Sequence, residues 1–118
     1  MIFNGMKLTE MSKDYARVEM NVQPTSRNLF GAIHGGVFFT MSDCAAGAAA
    51  RSGGMRYVTL SNSFEFYRNT KGEHIRAEGL VRHRGRTICV VQVDVKDDSD
   101  ALLASGTFTM FCTGELDA

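Results

Sequence analysis

From Gly36 to about Arg51, small and apolar residues follow one another without alternation, and this stretch constrains everything around it. Ala45, Ala46, Ala48, Ala49 and Ala50 have high helix propensity, and Gly53-Gly54 ends the run. A helix that is apolar nearly all round is a buried helix. At ~1.5 Å per residue it reaches about 24 Å, the width of about five strands spaced about 4.8 Å apart. One such helix is long enough to lie across a whole sheet.

The flanking segments have the period of strands. In residues 15–22, Ala16, Val18, Met20 and Val22 alternate with Tyr15, Arg17, Glu19 and Asn21. "MKLTE" before them is a hairpin partner across "SKD". After the helix, residues 56–67 alternate Val58, Leu60, Asn62, Phe64 and Phe66 against Thr59, Ser61, Ser63, Glu65 and Tyr67. Residues 73–82, 87–96 and 102–112 read as three more strands with hairpin-sized gaps. Two strands, a helix and four strands describe an antiparallel α+β domain with one long helix packed on one face.

The 118 residues fit one domain spanning positions 1–118. A 44% hydrophobic and 22% charged composition is that of an ordinary globular protein, and no apolar run reaches the ~20 residues of a membrane span. The start lacks a basic segment followed by an apolar one, so the expected location is cytoplasmic. Thirteen basic and thirteen acidic side chains leave no global field to attract nucleic acid. Cys44, Cys89 and Cys112 contain no CxxC pair and read as buried reduced thiols. No His/Cys/Asp spacing indicates a metal site.

Chemistry concentrates at the helix start. His34 is followed by Gly35 and Gly36, where the first amide hydrogens have no partner within the helix. With the positive end of the helix dipole, these amides suit a carbonyl oxygen that is becoming negative, and glycine lets a ligand come close. Asn28 adds a side-chain N–H donor from the preceding loop. The competing reading is a tight turn with no chemistry.

Asp43 is the one carboxylate between Asn28 and Ala50. It is either bonded to a neighbouring strand, Ser42 or Thr40, or it serves a functional cavity. It lies ~12 Å along the axis from Gly35, too far for both to act on one small group. If both are catalytic, the acid comes from a second copy running the opposite way, in a twofold dimer with two equivalent sites.

The pattern N-x-x-G-x-x-H-G-G-x-x-x-x-x-x-D, at Asn28, Gly31, His34, Gly35, Gly36 and Asp43, resembles the hotdog-fold acyl-CoA thioesterases, in particular their PaaI-like branch. "YVTLSNSFEFYR", "VRHRGRTICVVQVDV" and "LLASGTFTMF" are similar to that family's later strands. The resemblance implies an antiparallel five- to six-stranded sheet wrapped around one central helix. It also implies homodimers joined edge to edge, and often tetramers built from two dimers.

By the same resemblance, the Gly35 amide and Asn28 polarise the thioester carbonyl, and Asp43 of the opposite subunit attacks or activates water. A strand hydroxyl places that water: Thr59, or Ser61 in its stead. His34 and Gly36 belong to the substrate-binding entrance, and His34 is expected to fix the loop by hydrogen bonding. Arg68-Asn69 stands where the family has Arg-Pro.

No separate cofactor is expected, since coenzyme A is part of the substrate. Its phosphates make "RHRGR", with Arg84 and Arg86, and Arg68 with Lys71 candidate contacts, against the reading of a solvated turn. Phe38, Phe39, Phe64 and Phe66 either line an acyl pocket or belong to the core. The expected activity is hydrolysis of a small aryl- or medium-chain acyl-CoA. The alternatives are a non-catalytic acyl-CoA-binding or regulatory module on the same fold, and a purely structural dimer.

Overall fold

The computed structural model describes residues 2, 3 and 5–115. Along these the chain forms β1 (Ile2–Phe3), β2 (Met6–Ser12), β3 (Tyr15–Asn21), a 3-10 turn (Pro24–Ser26) and α1 (Gly35–Arg51). There follow β4 (Met55–Phe66), β5 (His74–Arg84), β6 (Ile88–Asp97) and β7 (Leu102–Glu115). Every pairing is antiparallel, in the order β1-β2-β3-β5-β6-β7-β4. The six long strands are those expected, and two-residue β1 extends the β2 edge.

The sheet wraps around α1, which touches β2 through β7. Close approach is possible because the contacting side chains are small: Ala45, Ala46 and Ala48 to Ala50 are buried. Beneath them Gly79 of β5 carries no side chain, and a Cβ there would sit 2.9 Å from the Ala45 carbonyl oxygen. The rest of the core comes from the inward faces of the strands, with Val18, Ile75, Val91, Val93, Val95 and Phe108 all at 0% exposure.

The C-terminus of α1 is closed by polar groups. Ser52 Oγ donates to the Ala49 carbonyl, and Arg84 donates to the carbonyls of Ala49 and Ala50. These satisfy acceptors that a helix end leaves without partners. Gly54, at φ +96°, then turns the chain into β4.

β4 departs from simple alternation. Its register against β7 shifts between Thr59 and Ser61, so Leu60 is an extra residue in the ladder. Upstream, odd-numbered Tyr57 and Thr59 face the helix; downstream, even-numbered Phe64 and Phe66 do. A second shift in β5, between Val81 and His83, does the same for Arg84. Among the described residues β4 pairs only with β7, and along this edge strand Val58, Leu60 and Phe66 are exposed.

Candidate active site

The loop entering α1 folds around one side chain. Asn28 Oδ1 accepts the amides of Phe30 and Ala32 at 2.9 and 3.1 Å, and Gly31 makes the turn at φ +80°. With its oxygen engaged inwards, the Asn28 Nδ2 keeps its two hydrogens free of any partner among the described residues. His34 is the N-cap residue of α1 and makes no side-chain cap bond. Hence the amides of Gly35 and Gly36 also have no acceptor among the described residues, and three donors surround one helix start.

His34 makes its hydrogen bonds in the loop through its backbone rather than its ring. The ring is exposed and makes no hydrogen bond among the described residues, whereas its backbone amide bonds Ser26 O at 2.9 Å. The main chain therefore fixes the entrance. Beside it opens a cavity of about 760 Å³, lined by His34, Gly36, Val37 and Thr40 and floored by Met6 and Met20. A Cβ on Gly36 would meet nothing within 4 Å, so this glycine opens directly on free space. Gly35 instead lies under the Phe66 ring, and a Cβ there would come within 3.1 Å of it.

Asp43 sits half-buried on the same helix, and its Oδ1 accepts the Thr59 hydroxyl at 2.8 Å. Neither Ser42 nor Thr40 bonds it; the buried Ser42 hydroxyl has no partner among the described residues. The second carboxylate oxygen accepts no bond among the described residues. Ser61 follows the bulge and falls on the face opposite Phe64, away from Asp43, so Thr59 alone occupies the hydroxyl position. Because α1 is continuous from Gly35 to Arg51, Asp43 stays about 12 Å along the axis from the Gly35 amide of its own chain.

Arg84 is corrected from substrate contact to part of the fold. All five of its N–H donors are engaged: two on Asp14 Oδ1, and one each on Ala49 O, Ala50 O and the Tyr57 hydroxyl. Arg68 and Arg86 are exposed and make no side-chain hydrogen bond or ion pair among the described residues. Phe38 belongs to the core at 2% exposure, while Phe66 is 58% exposed beside the helix start. Cys89 is buried but Cys44 and Cys112 are only half-buried; burial pushes the Cys44 and Cys89 thiols up from their usual pKa. Arg27 and Asn69, which brace the entrance loop, were not singled out as site residues, because isolated polar residues in a loop carry no periodic signal.

A sheet curled round one helix, with bare amides at the helix start and a carboxylate–hydroxyl pair further along it, defines a hotdog-fold thioester hydrolase. The chain belongs to the thioesterase superfamily, whose family model matches residues 30–104. It is 32% identical to a Streptococcus mutans protein solved with acetyl CoA, with a TM-score of 0.92 over 99% of this chain and 95% of that one. It is also 32% identical to a hypothetical thioesterase of Streptococcus pneumoniae solved with coenzyme A, with a TM-score of 0.91 over 98% and 91% of the two chains. That protein was solved in an aspartate-to-alanine and a threonine-to-alanine form, at positions sixteen apart, the separation of Asp43 and Thr59 here. The Escherichia coli PaaI protein, from the phenylacetic acid degradation operon, shares the fold at 24% identity and a TM-score of 0.89, over 94% and 81% of the two chains.

Proposed function

We propose that this protein hydrolyses a small aryl- or medium-chain acyl-CoA at two equivalent sites formed between copies of the chain. The Asp43–Thr59 pair carries the reading: one carboxylate oxygen is held by a hydroxyl and the other is left open. The Gly35 amide and the Asn28 Nδ2 take the thioester carbonyl oxygen and stabilise the charge that develops on it. The partner subunit's Asp43 activates the attacking water or attacks the carbon itself. The leaving thiolate is stable enough, with a thiol pKa of ~8.5, that no dedicated acid is required.

The unpaired β4 edge supports the dimer. Twelve residues of edge strand with exposed apolar side chains form a template for another strand. A twofold axis perpendicular to the sheet at that edge pairs the two β4 strands antiparallel, keeps both helices on one face running in opposite directions, and closes the ~12 Å gap between amides and acid. Arg68, Lys71 and Arg86 are exposed cations without a side-chain partner among the described residues and are available to the coenzyme A phosphates. Coenzyme A esters and free thiols both suit the cytoplasm.

The test is complementation, read as thiol release from a panel of acyl-CoAs. Asn28→Ala is expected to lose about 10²–10³ in rate, the usual cost of removing an oxyanion donor, and Asp43→Asn at least about 10²–10⁴, the usual contribution of a general base. Refolded together at equal amounts they form mixed dimers in which one site of two is intact, so about a quarter of the parental activity returns. A mixture no more active than its components would overturn the shared site. A parent that binds acyl-CoA tightly without releasing thiol would establish the binding module instead.

A further inference from the structure

The entrance loop is anchored in the core by Ile33, at its end next to the helix, and not by its tip. Leu29 is 100% and Phe30 89% exposed, so within one protomer neither holds the loop by packing. The rest of its position is set by polar bonds to Asn69, in the turn after β4. The Asn69 Oδ1 accepts the Ile33 amide at 2.9 Å, and its Nδ2 donates to the Ile33 carbonyl at 3.0 Å. One side chain thus pairs with both polar groups of a loop residue, as a neighbouring strand would. Ile33 is buried and lies two residues before Gly35.

The clamp is itself braced. The Asn69 Oδ1 also accepts the Thr70 amide at 2.9 Å, which fixes the rotation of the carboxamide. The Thr70 hydroxyl donates to buried Asp97 at 2.6 Å, and Asp97 also accepts the amides of Ser99 and Ala101 and the Ser99 hydroxyl. From the other side, Arg27 donates to the carbonyls of Gly31, Thr70 and Gly72 at 2.7, 3.0 and 2.7 Å. A continuous polar path therefore runs from the β6–β7 hairpin to the helix start.

We infer that Asn69 is a positioning residue: its paired bonds to Ile33 fix where the Gly35 amide and the Asn28 carboxamide meet the substrate carbonyl. This rests on the thioesterase reading above. A misplacement of about 1 Å by a residue remote from the chemistry is enough to cost ~10² in rate. A clamp that aims donors at the developing oxyanion acts on kcat, while substrate binding, made mostly elsewhere along coenzyme A, changes little.

Asn69→Ala removes both bonds, and Asn69→Asp keeps the acceptor for the Ile33 amide while losing the donor. Two measurements are made on each: thiol-release kinetics, and hydrogen exchange of the peptide covering residues 28–36 against that covering residues 41–51. For the alanine variant the expected result is a kcat lower by about 10- to 100-fold with KM within about threefold, and faster exchange confined to residues 28–36. In the aspartate variant a carboxylate oxygen faces the Ile33 carbonyl oxygen where an N–H donated, so a loss at least as large as that of alanine is expected on both scales, and it carries the test if the alanine variant does not fold. A kcat within twofold of the parent, or unchanged loop exchange, overturns the inference. A parent inert towards every acyl-CoA defeats the proposed function instead, and loop exchange then decides the positioning claim by itself.

Discussion

Replacing Gly79 with alanine adds one methyl group where the structure has no room for it. The new Cβ would lie 2.9 Å from the Ala45 oxygen, 3.2 Å from its carbonyl carbon and 3.5 Å from the Ala46 nitrogen. All three atoms are helix backbone, so no side chain can swing aside and α1 must lift from β5. Overpacking of this kind costs about 1–3 kcal/mol. At roughly 2 cal/mol/K per residue, 118 residues unfold with an entropy near ~0.25 kcal/mol/K, which turns that cost into a fall of about 4–12 °C in Tm.

Gly36→Ala is the matched control, because its Cβ would meet nothing. There the loss of unfolded-state freedom stabilises by about 0.4–1 kcal/mol, a rise of about 2–4 °C. Calorimetric melting at a single protein concentration reads both, since association makes Tm concentration-dependent. Equal shifts in the two variants, or a Gly79→Ala protein melting at or above the parent, would refute the claim that direct helix–strand backbone contact holds the fold together.

Arg84→Ala removes one donor from each of the Ala49 and Ala50 carbonyls and the charged partner of Asp14; a loss of about 2 kcal/mol in urea unfolding is expected, with KM for acyl-CoA unchanged. An unchanged urea midpoint would return Arg84 to the solvent. Hydrogen bonds from Thr70 and Ser99 and from the amides of Ala101 and Ser99 lower the Asp97 pKa from 3.8 to about 2, against the raising effect of burial. The folded chain therefore binds fewer protons there than the unfolded one, and this contribution is complete above about pH 4 and lost as pH falls through about 2. Unfolding free energy measured from pH 4 to pH 2 is expected to fall more steeply in the parent than in Asp97→Asn; parallel curves would remove Asp97 from the acid response.

Where one face of an element is buried, its period reveals it. Ala16, Val18 and Met20, and likewise Ile75, Ala77 and Gly79, alternate into the core as their spacing indicates. The Ala45–Ala50 run is buried as helix because small side chains suit close packing on a sheet. What stayed hidden follows from the register shifts between Thr59 and Ser61 and between Val81 and His83. A strict two-residue period sets Thr59 on the face opposite Phe64 and Phe66, and only the extra residue at Leu60 lets all three face α1. Likewise the shift after Val81 turns Arg84 inwards, so a basic cluster that reads as solvated supplies the cap of a helix. At the site, Asn28 and Asp43 were legible because a carboxamide beside a glycine pair and a lone acid in an apolar helix stand out. Asn69 was visible only as a departure from a pattern, since its pairing with Ile33 spans 36 positions.

The inserted residue in β4 also bears on how such chains should be compared. Upstream of Leu60 the strand supplies a hydroxyl to an acid, and downstream it lays an aromatic ring over the glycine that begins the helix. Losing or gaining one codon at this point would throw one half of the strand out of phase with the other, and two sequences aligned there without a gap can still aim opposite sets of side chains at the helix.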